Sequence, residues 1–367
     1  MEPKVVIAGY FGCGNLGDDA ILAGLLQGLS GLPVRPVVLS GSPERTYRDF
    51  GTEAIPRKNL GAVAKALEGA EALILGGGSL FQDVTSAASA VYYSRIVSMG
   101  KKSTGRVIML GQGFGPVRRM VGKWAVAGAV RKADAIAVRD QESLKLVRAF
   151  GAQCEVRQTA DLAWLAKPEA SSAGEGFGMG DQRTVGLVPR GWKQLKPIAV
   201  VFSQFARKLS EAGHMPLILP FDEAGDEKLY AEMNKNTDGR LPMLRGIRSP
   251  QAMLARVERL HGVVTMRYHG AIFAVMAGIA PILVSYDPKV TYLSEILEVP
   301  AAIPFDRLTV DRLANVWEQY EQKRDYYATR MPIIRQNLES KARENISMLC
   351  RFVPSLAGEA GARQPGN

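Results

Sequence analysis

Short apolar runs separated by helical stretches follow one another along most of this chain, and each run ends in glycine or polar residues. Runs of this kind are typical of parallel strands that helices bury on both faces. These elements predict an α/β fold built on a parallel sheet. In the first half, the predicted strands are residues 5–9, 34–39, 73–75, 107–110 and 135–138, and the clearest predicted helix is residues 20–29.

The pattern is interrupted at residues 167–182, where glycine, serine, alanine and acidic residues accumulate as they do in interdomain linkers. We therefore predict two Rossmann-like domains, residues 1–166 and 183–309, that face each other across a cleft. A long charged helix over residues 310–352 should follow, and residues 353–367 should form a disordered tail. The strands predicted for the second domain are residues 184–188, 217–219, 263–266 and 281–285.

The composition is typical of a soluble globular protein: 367 residues, of which 47% are hydrophobic and 22% charged. No apolar run is long enough to span a bilayer and no signal peptide is evident, so we expect a cytoplasmic protein. The three cysteines, Cys13, Cys154 and Cys350, are far apart and lack metal-ligand spacing. We expect reduced thiols, with Cys13 a small loop or core residue rather than a reactive one.

The net charge of +10 is compatible with nucleic acid, an anionic membrane surface or a phosphorylated substrate as partner. The basic residues are scattered, and no nucleic-acid-binding motif is present. Charge by itself does not choose between the other two partners, nor does it exclude a merely basic surface.

A glycine-rich loop joins the first strand to the first helix, with Gly12, Gly14 and Gly17 in the spacing G-x-G-x-x-G. That spacing is found in dinucleotide-binding loops, but the lone motif is weakly specific. Asp18 and Asp19 at the helix start would repel a pyrophosphate, and no acidic residue ends the second strand to bind a ribose. Two interpretations remain open, a tight turn with helix capping or a substrate loop.

Two further strand ends are rich in glycine, residues 76–83 and 111–116. Three such loops at neighbouring strand ends indicate that the backbone approaches a ligand closely, and a sugar or a phosphate would fit.

Basic side chains follow two strands of the second predicted domain. Arg190 comes after the first of them, and Arg267 and His269 stand where residues 263–266 give way to an apolar helix. Carboxyl ends of parallel strands bind ligands, and helix N-termini attract anions. Two guanidinium groups can clamp a carboxylate and a phosphate, while a histidine beside them can act as a general acid. The other histidines, His214 and His261, are expected to be structural, and no metal-ligand spacing appears.

Together these stretches resemble the polysaccharide pyruvyltransferases, most closely the bacterial CsaB type that modifies secondary cell-wall polymers. The resemblance extends from Val5 to about Pro304. Tyr268 departs from the leucine that we associate with this position of the family. The motifs that carry the resemblance are GYFGCGNLGDDAIL, LGGGSLFQD, GQGFGP, RDQES, TADLAW, RYHGAIFA and VSYDPK.

The resemblance implies a GT-B-like fold, phosphoenolpyruvate as donor with no further cofactor, and a lipid-linked GlcNAc–ManNAc acceptor. The product would be a 4,6-ketal of pyruvate on N-acetylmannosamine, made for a cell wall that anchors an S-layer. Arg190, Arg267 and His269 match family positions associated with the donor. Our hypothesis is that His269 protonates the methylene carbon while the two arginines bind carboxylate and phosphate.

The acceptor side of the site is less determined. Asp18, Asp83 and Asp161 follow strands of the first predicted domain, and Asp18 is our candidate catalytic base, although it or Asp19 can instead cap the helix. Lys289 either reaches the donor or remains at the rim of the site. The residues expected to contact the acceptor are Asn15, Gly78, Asp83, Gln112 and Asp161.

A lipid-linked acceptor would also give the positive charge a use, since Arg118, Arg119 and Lys123 are predicted on a surface helix that can contact an anionic membrane. Two alternatives stay open. A GT-B glycosyltransferase for a nucleotide sugar would need an acid to bind ribose, for which Glu295 and Glu298 are weak candidates. A non-enzymatic protein that binds cell-wall sugar would not need the arginines and His269.

Overall fold

The computed structural model describes residues 2–84, 87–169, 183–191 and 195–356. The chain forms two compact units. The first contains Met1–Cys13, Asp18–Ala166 and Leu338–Asn367, and the second contains Gly14–Gly17 and Lys167–Asn337. The predicted linker lies outside the described residues from residue 170 onward.

The first unit is built on a parallel sheet with the strand order β3-β2-β1-β4-β6-β7-β8, and β5 pairs with β6 beside this path. The strands are β1 (Lys4–Phe11), β2 (Arg35–Ser40), β3 (Glu53–Pro56), β4 (Ala72–Leu75), β5 (Gly78–Phe81), β6 (Val107–Phe114), β7 (Ala135–Val138) and β8 (Glu155–Gln158). The helices are α1 (Leu16–Leu29), α2 (Pro43–Phe50), α3 (Leu60–Leu67), α4 (Ala88–Thr104), α5 (Met120–Lys132) and α6 (Gln141–Ala149), with a 3₁₀ turn at Leu162–Leu165.

Apolar side chains bury the central strands of this sheet on both faces. Every residue of β4, β6 and β7 is buried, which explains the continuous apolar runs of the sequence. Strand β6 extends four residues beyond its predicted end at residue 110. Gly111 has a φ of 57° and the register shifts between Met109 and Gln112, so the strand bulges at the glycine and then continues.

The second unit has a smaller parallel sheet with the order β10-β9-β11-β12-β13. Its strands are β9 (Arg183–Val188), β10 (His214–Ile218), β11 (Gly262–Thr265), β12 (Ile282–Ser285) and β13 (Ile303–Pro304). Its helices are α7 (Leu195–Glu211), α8 (Glu223–Asn236), α9 (Pro250–Val257), α10 (Tyr268–Met276) and α11 (Pro288–Ile296), with a 3₁₀ turn at Phe305–Arg307. The α/β fold with two parallel, Rossmann-like sheets is thus confirmed.

The C-terminal region differs from its prediction in two ways. The single helix predicted over residues 310–352 is two helices, α12 (Val310–Gln322) and α13 (Arg324–Phe352), because Lys323 leaves the helical conformation with φ −108° and ψ 11°. The predicted tail begins too early, since Val353 and Leu356 are fully buried around a 3₁₀ turn at Pro354–Leu356. Residues 357–367 lie outside the described part of the chain.

Helix α13 is divided between the units, its residues up to Asn337 belonging to the second and those from Leu338 to the first. None of the described helices is both long enough and apolar enough to cross a bilayer.

Candidate functional site

Three adjacent strands of the second unit end in polar residues at one edge of the sheet. Arg190 follows β9, Arg267 follows β11, and Tyr286 follows β12, and these strands are neighbours in the order β9-β11-β12. The parallel arrangement therefore brings together Arg190 and Arg267, as the strand-end rule predicts.

Arg267 is buried and its charge is balanced inside the protein. Its guanidinium pairs with the carboxylate of Asp226 and lies 3.8 Å from that of Asp222. Burial lowers the pKa of Arg267, but the Asp226 carboxylate more than offsets this, so the pKa lies above its usual value. The anion-binding role expected for Arg267 stays a prediction, and the buried ion pair with Asp226 supports a role in positioning the site.

Asp226, which lies on α8, was not predicted as a site residue. Its carboxylate accepts hydrogen bonds from the backbone N–H of Gly191 at 2.6 Å and from the Tyr230 hydroxyl at 3.4 Å, in addition to binding Arg267. One buried carboxylate thus ties together the loops that follow β9 and β11. The only indication in the sequence is a second acid four residues after Asp222, a spacing that many solvated helices share.

Arg190 differs from Arg267 because its partner is neutral. Its guanidinium donates to the Tyr286 hydroxyl and lies 5.0 Å from the centre of that ring. Burial raises the pKa of Tyr286, although the Arg190 charge opposes this, so the phenol is uncharged at neutral pH. Within the described part of the chain, no carboxylate forms an ion pair with Arg190, and its charge is available to an anionic ligand.

His269 lies in the first turn of α10 and packs against the glycine-rich loop. Leu16 and Gly17 form two of the hydrogen bonds of this loop: Leu16 N–H donates to the Phe221 carbonyl at 2.8 Å, and Gly17 N–H donates to Asn15 Oδ1 at 3.0 Å. A Cβ on Gly17 would overlap the His269 ring at Nδ1 and Cγ. The third glycine of the G-x-G-x-x-G spacing is therefore explained by the imidazole, which sequence reasoning missed, and Asn15 lies two residues from it.

We expect Gly17→Ala to displace the His269 ring and to lower turnover by about 100-fold, because a displacement of about 1 Å can cost that much. Gly128→Ala is the matched control, since it also adds a methyl group to a helical glycine, but its nearest neighbour is Ser94 Oγ at 3.8 Å. Initial rates of both variants, with circular dichroism to check folding, test this prediction. Equal rates in the two variants would show that the contact with His269 does not matter.

Lys289 follows β12 by a few residues and lies in the first turn of α11. Asp287 caps this helix by accepting from the Lys289 N–H at 3.1 Å, and the two side chains form an ion pair at 3.4 Å. Lys289 is thus attached to the same edge of the sheet as Arg190, with part of its surface exposed.

The carboxyl edge of the first unit is organised by Asp19. Its buried carboxylate accepts from the Gly12 N–H at 2.8 Å and lies 3.6 Å from the Arg45 guanidinium. Burial raises the pKa of Asp19 to about 6, although the Gly12 hydrogen bond and Arg45 lower it in part. Asp18 is partly exposed. Gly78 lies close to it in space, since a Cβ added to Gly78 would be 3.1 Å from Asp18 Oδ1.

The raised pKa of Asp19 predicts the direction in which the stability of the protein changes with pH. The folded state holds this proton more tightly than the unfolded state does, so its contribution to stability falls as the pH rises from about 4 to about 6. Asp19→Asn keeps an acceptor for the Gly12 N–H but does not titrate. We expect its free energy of unfolding to rise by about 2 kcal/mol relative to that of the wild type between pH 4.5 and 7.5. Urea unfolding at both values measures this. The exposed Glu53→Gln should show no such change, and parallel pH curves for Asp19→Asn and wild type would contradict the prediction.

The other residues predicted to contact the acceptor are occupied by structural contacts. The Asp83 carboxylate accepts from the backbone N–H groups of Arg118 and Arg119, at 2.8 and 2.6 Å, and so fixes the start of α5. Gln112 is fully buried and donates to the Leu75 carbonyl at 3.1 Å. The acceptor contacts of these side chains stay predictions, and the hydrogen bonds show that the Asp83 carboxylate and the amide nitrogen of Gln112 already have internal partners.

Asp161 is also internal. It accepts a hydrogen bond from the Arg139 guanidinium at 2.7 Å and one from the Ala163 N–H at 2.9 Å, and Arg139 further donates to Ser79 Oγ at 2.9 Å. This buried pair joins the ends of β5, β7 and β8. Sequence reasoning placed Asp161 near a strand end but had no means of pairing it with Arg139, which is 22 residues earlier.

A sequence model of the polysaccharide pyruvyl transferase family matches residues 15–288, well over half of the chain. This chain belongs to the polysaccharide pyruvyl transferase family. The match includes Arg190, Arg267 and His269, and it ends one residue before Lys289. It also includes Asp226, which positions Arg267.

Solved structures with the same fold as this polysaccharide pyruvyl transferase have GT-B-like architecture. S. aureus MnaA, solved with UDP, has a TM-score of 0.66 at 11% identity, covering 100% of this chain and 99% of that one. The UDP-GlcNAc 2-epimerase of Methanocaldococcus jannaschii, solved with UDP-GlcNAc and UDP, has a TM-score of 0.63 at 11% identity, with coverage of 96% and 100%. A UDP-glucosyltransferase of Polygonum tinctorium has a TM-score of 0.59 at 13% identity, with coverage of 96% and 99%.

At these identities the likeness shows the fold alone. Among curated proteins, the sequence comparison found no match to this polysaccharide pyruvyl transferase.

Proposed function

We propose that this polysaccharide pyruvyl transferase takes its pyruvyl group from phosphoenolpyruvate and forms a ketal on a sugar of a lipid-linked cell-wall precursor. The observation that carries the proposal is Arg190, a cation without a carboxylate partner among the described residues, on the same sheet edge as His269. A donor with a carboxylate and a phosphate needs such a cation. Its enol carbon needs an acid, and the acid in this proposal is His269.

The reaction balances with the groups available. His269 gives a proton to the methylene carbon, which becomes the methyl group of the ketal, and the positive charge that develops on the neighbouring carbon is taken up by two sugar hydroxyl oxygens. The bond between this neighbouring carbon and the phosphate oxygen breaks, and inorganic phosphate leaves. Of the two hydroxyl protons released, one restores His269 and the other leaves with phosphate or solvent.

In this proposal the donor residues have separate roles. Arg190 binds an anionic end of phosphoenolpyruvate, and Lys289, in the first turn of α11 after β12, supports it. Arg267 is held by Asp226 and orders the start of α10, where His269 lies. Binding energy is thus directed to the reacting atoms by groups that are already in place.

For the acceptor we propose an N-acetylmannosamine unit of a lipid-linked disaccharide, as in the CsaB type. The motif resemblance supports this choice. Of the predicted acceptor residues, Asn15 is partly exposed, and Gly78 lies beside Asp18, the predicted base, which is also partly exposed. Asp18 is the proposed base for a sugar hydroxyl.

The test is acceptor-dependent release of inorganic phosphate from phosphoenolpyruvate, with mass spectrometry of a synthetic GlcNAc–ManNAc product. Phosphate release together with the mass of a pyruvate ketal would establish the reaction. If a folded protein releases no phosphate and instead binds UDP, the nucleotide-sugar transferase becomes the better explanation, since MnaA and the epimerase were solved with UDP.

We further propose that helix α5 attaches the enzyme to an anionic membrane, where a lipid-linked acceptor would be found. Met120, Val121 and Trp124 on this helix are 57%, 54% and 69% exposed. The exposed cations Arg118, Arg119 and Lys123 surround them, and Asp83 holds the helix start through the hydrogen bonds described above. Apolar and aromatic side chains among basic ones are typical of helices that lie in a bilayer interface. A second copy of the same surface would be repelled by its like charges.

Sedimentation with vesicles that contain phosphatidylglycerol tests this attachment. We expect Met120→Ser with Trp124→Ser to lower the vesicle partition coefficient at least about 10-fold, since each large side chain contributes about 1.5–3 kcal/mol when buried. Ile333→Ser is the matched control, because Ile333 is 49% exposed outside α5. Equal loss in the control, or binding to neutral vesicles alone, would argue against an attachment through α5.

A further inference from the structure

Arg57 follows strand β3 at the carboxyl edge of the first sheet. Its backbone N–H donates to the Ser40 carbonyl at 2.9 Å, and its carbonyl accepts from the Tyr92 hydroxyl at 2.6 Å. The main chain is thus fixed to the ends of β2 and α4, and the side chain starts from a rigid position.

Aromatic rings and a thiol surround the guanidinium. Its centre lies 5.0 Å from the ring centres of Tyr10 and Tyr92 and 5.5 Å from that of Tyr93. One amino group donates to Cys13 Sγ at 3.4 Å and the other to the Tyr93 hydroxyl at 3.1 Å. Its Nε is buried and has no hydrogen-bond partner among the described residues. The group is therefore immobilised by contacts that orient it without neutralising it.

The charge of Arg57 is not balanced within this cluster. The partners that the described residues offer are phenols and a thiol, and none is a carboxylate. Burial raises the pKa of Tyr93 and of Tyr92, although the Arg57 charge opposes this, so both phenols stay neutral. A half-buried cation without a counter-ion carries a desolvation cost that an anionic ligand would offset. This contrasts with Arg267 and Arg139, each of which has a buried carboxylate partner.

We infer that Arg57, with Tyr10, Cys13, Tyr92 and Tyr93, forms a binding site for a phosphate or diphosphate group. Tyr10 is 45% exposed, so the cluster opens to solvent along this ring. If the proposed function holds, the ligand is the phosphate-bearing end of the acceptor. Asp18, the proposed base, lies near this cluster, since its negative charge acts on Tyr93. The site would then hold the acceptor on the edge of the sheet where its hydroxyl is activated.

Inorganic pyrophosphate is the probe, and Cys13 is the reporter. Alkylation of Cys13 by iodoacetamide, followed by peptide mass spectrometry, should slow in the wild type when pyrophosphate is added, because the anion would lie against the thiol. Arg57→Gln should abolish this protection and weaken pyrophosphate binding at least 10-fold by calorimetry, whereas Arg57→Lys should keep part of both. Arg148→Gln removes an exposed arginine of the same unit and should change neither.

Thermal melting identifies any loss of folding in Arg57→Gln, and Arg57→Lys keeps the charge if the glutamine variant is unstable. Protection of Cys13 by pyrophosphate in Arg57→Gln equal to that in the wild type would overturn the inference. So would a wild type that shows no protection at any pyrophosphate concentration.

Kinetics separate this inference from the proposed function and identify the source of the phosphate. With an acceptor that carries a diphosphate, Arg57→Gln should raise KM about 10-fold, but it should leave KM unchanged for the same sugar without diphosphate and for phosphoenolpyruvate. A raised KM for phosphoenolpyruvate alone would assign the anion to the donor and overturn the acceptor assignment. Pyrophosphate could protect Cys13 in the wild type but not in Arg57→Gln while the wild type transfers no pyruvyl group. That result would support the anion site and refute the proposed function.

Discussion

His269→Asn is expected to lower turnover by about 10²–10⁴-fold, the range that a general acid contributes, while the affinity for phosphoenolpyruvate changes only a few-fold. The reason is that, in the proposed function, the imidazole provides the proton for the methylene carbon, whereas Arg190 supplies the positive charge that binds the donor. Asparagine retains polarity and approximate size but cannot deliver a proton. Initial rates of acceptor-dependent phosphate release, together with calorimetric binding of the donor, measure the two effects separately.

Tyr268→Leu is the matched control for this variant, because it alters the adjacent residue of the same helical turn. It restores the leucine that we associate with the family and should leave turnover within a few-fold of the wild type. Turnover of His269→Asn at the wild-type level would remove the imidazole from the mechanism. A large loss of donor affinity without a loss of turnover would make it a binding group instead.

Asp226→Ala is expected to destabilise the second unit by about 3–5 kcal/mol, since it removes the nearest counter-ion of the buried Arg267 guanidinium. It also removes the acceptor for the Gly191 N–H, so the loop after β9 should loosen with the loop after β11. Hydrogen exchange followed by mass spectrometry should therefore show faster exchange in peptides from β9, β11 and the start of α8. Peptides from the first sheet serve as the internal reference.

The double variant Asp226→Leu, Arg267→Met separates charge from packing. It replaces the buried pair by apolar side chains of similar size, which often restores stability. We expect it to recover most of the stability lost in Asp226→Ala while turnover remains low, because the loop of His269 loses its positioning contact. If Asp226→Ala alone is as stable as the wild type, the pair does not hold the site together.

The local pattern was sufficient for most of the secondary structure. The stretch that became β11, α10 and β12 was predicted from a buried apolar run, a polar interruption and a second apolar run, and the bounds agree within one or two residues. Errors arose where backbone conformation departs from what residue type suggests, as at Gly111, where the strand continues through a bulge, and at Lys323, where a charged helix is interrupted.

The predicted site residues divide according to the range of the interactions that decide their role. Arg190 and His269 could be predicted as site residues because a strand end followed by a helix can be seen in a few consecutive residues. The pairing of Arg267 with Asp226 was missed because the partners are 41 residues apart, and that of Arg139 with Asp161 because no pattern joins their strands. For the same reason the sequence did not reveal the internal hydrogen bonds that Asp83, Gln112 and Asp161 form.

By itself, the sequence determined the two α/β units, the strand ends that carry basic and glycine-rich residues, and the family to which the chain belongs. Apolar periodicity and turn residues act over a few positions, so these features are present in the linear order. The tertiary structure alone decided which charges are neutralised. Burial and counter-ions depend on residues distant in the chain. Among the described residues, they balance Arg267 with Asp226 but surround Arg57 with phenols and a thiol.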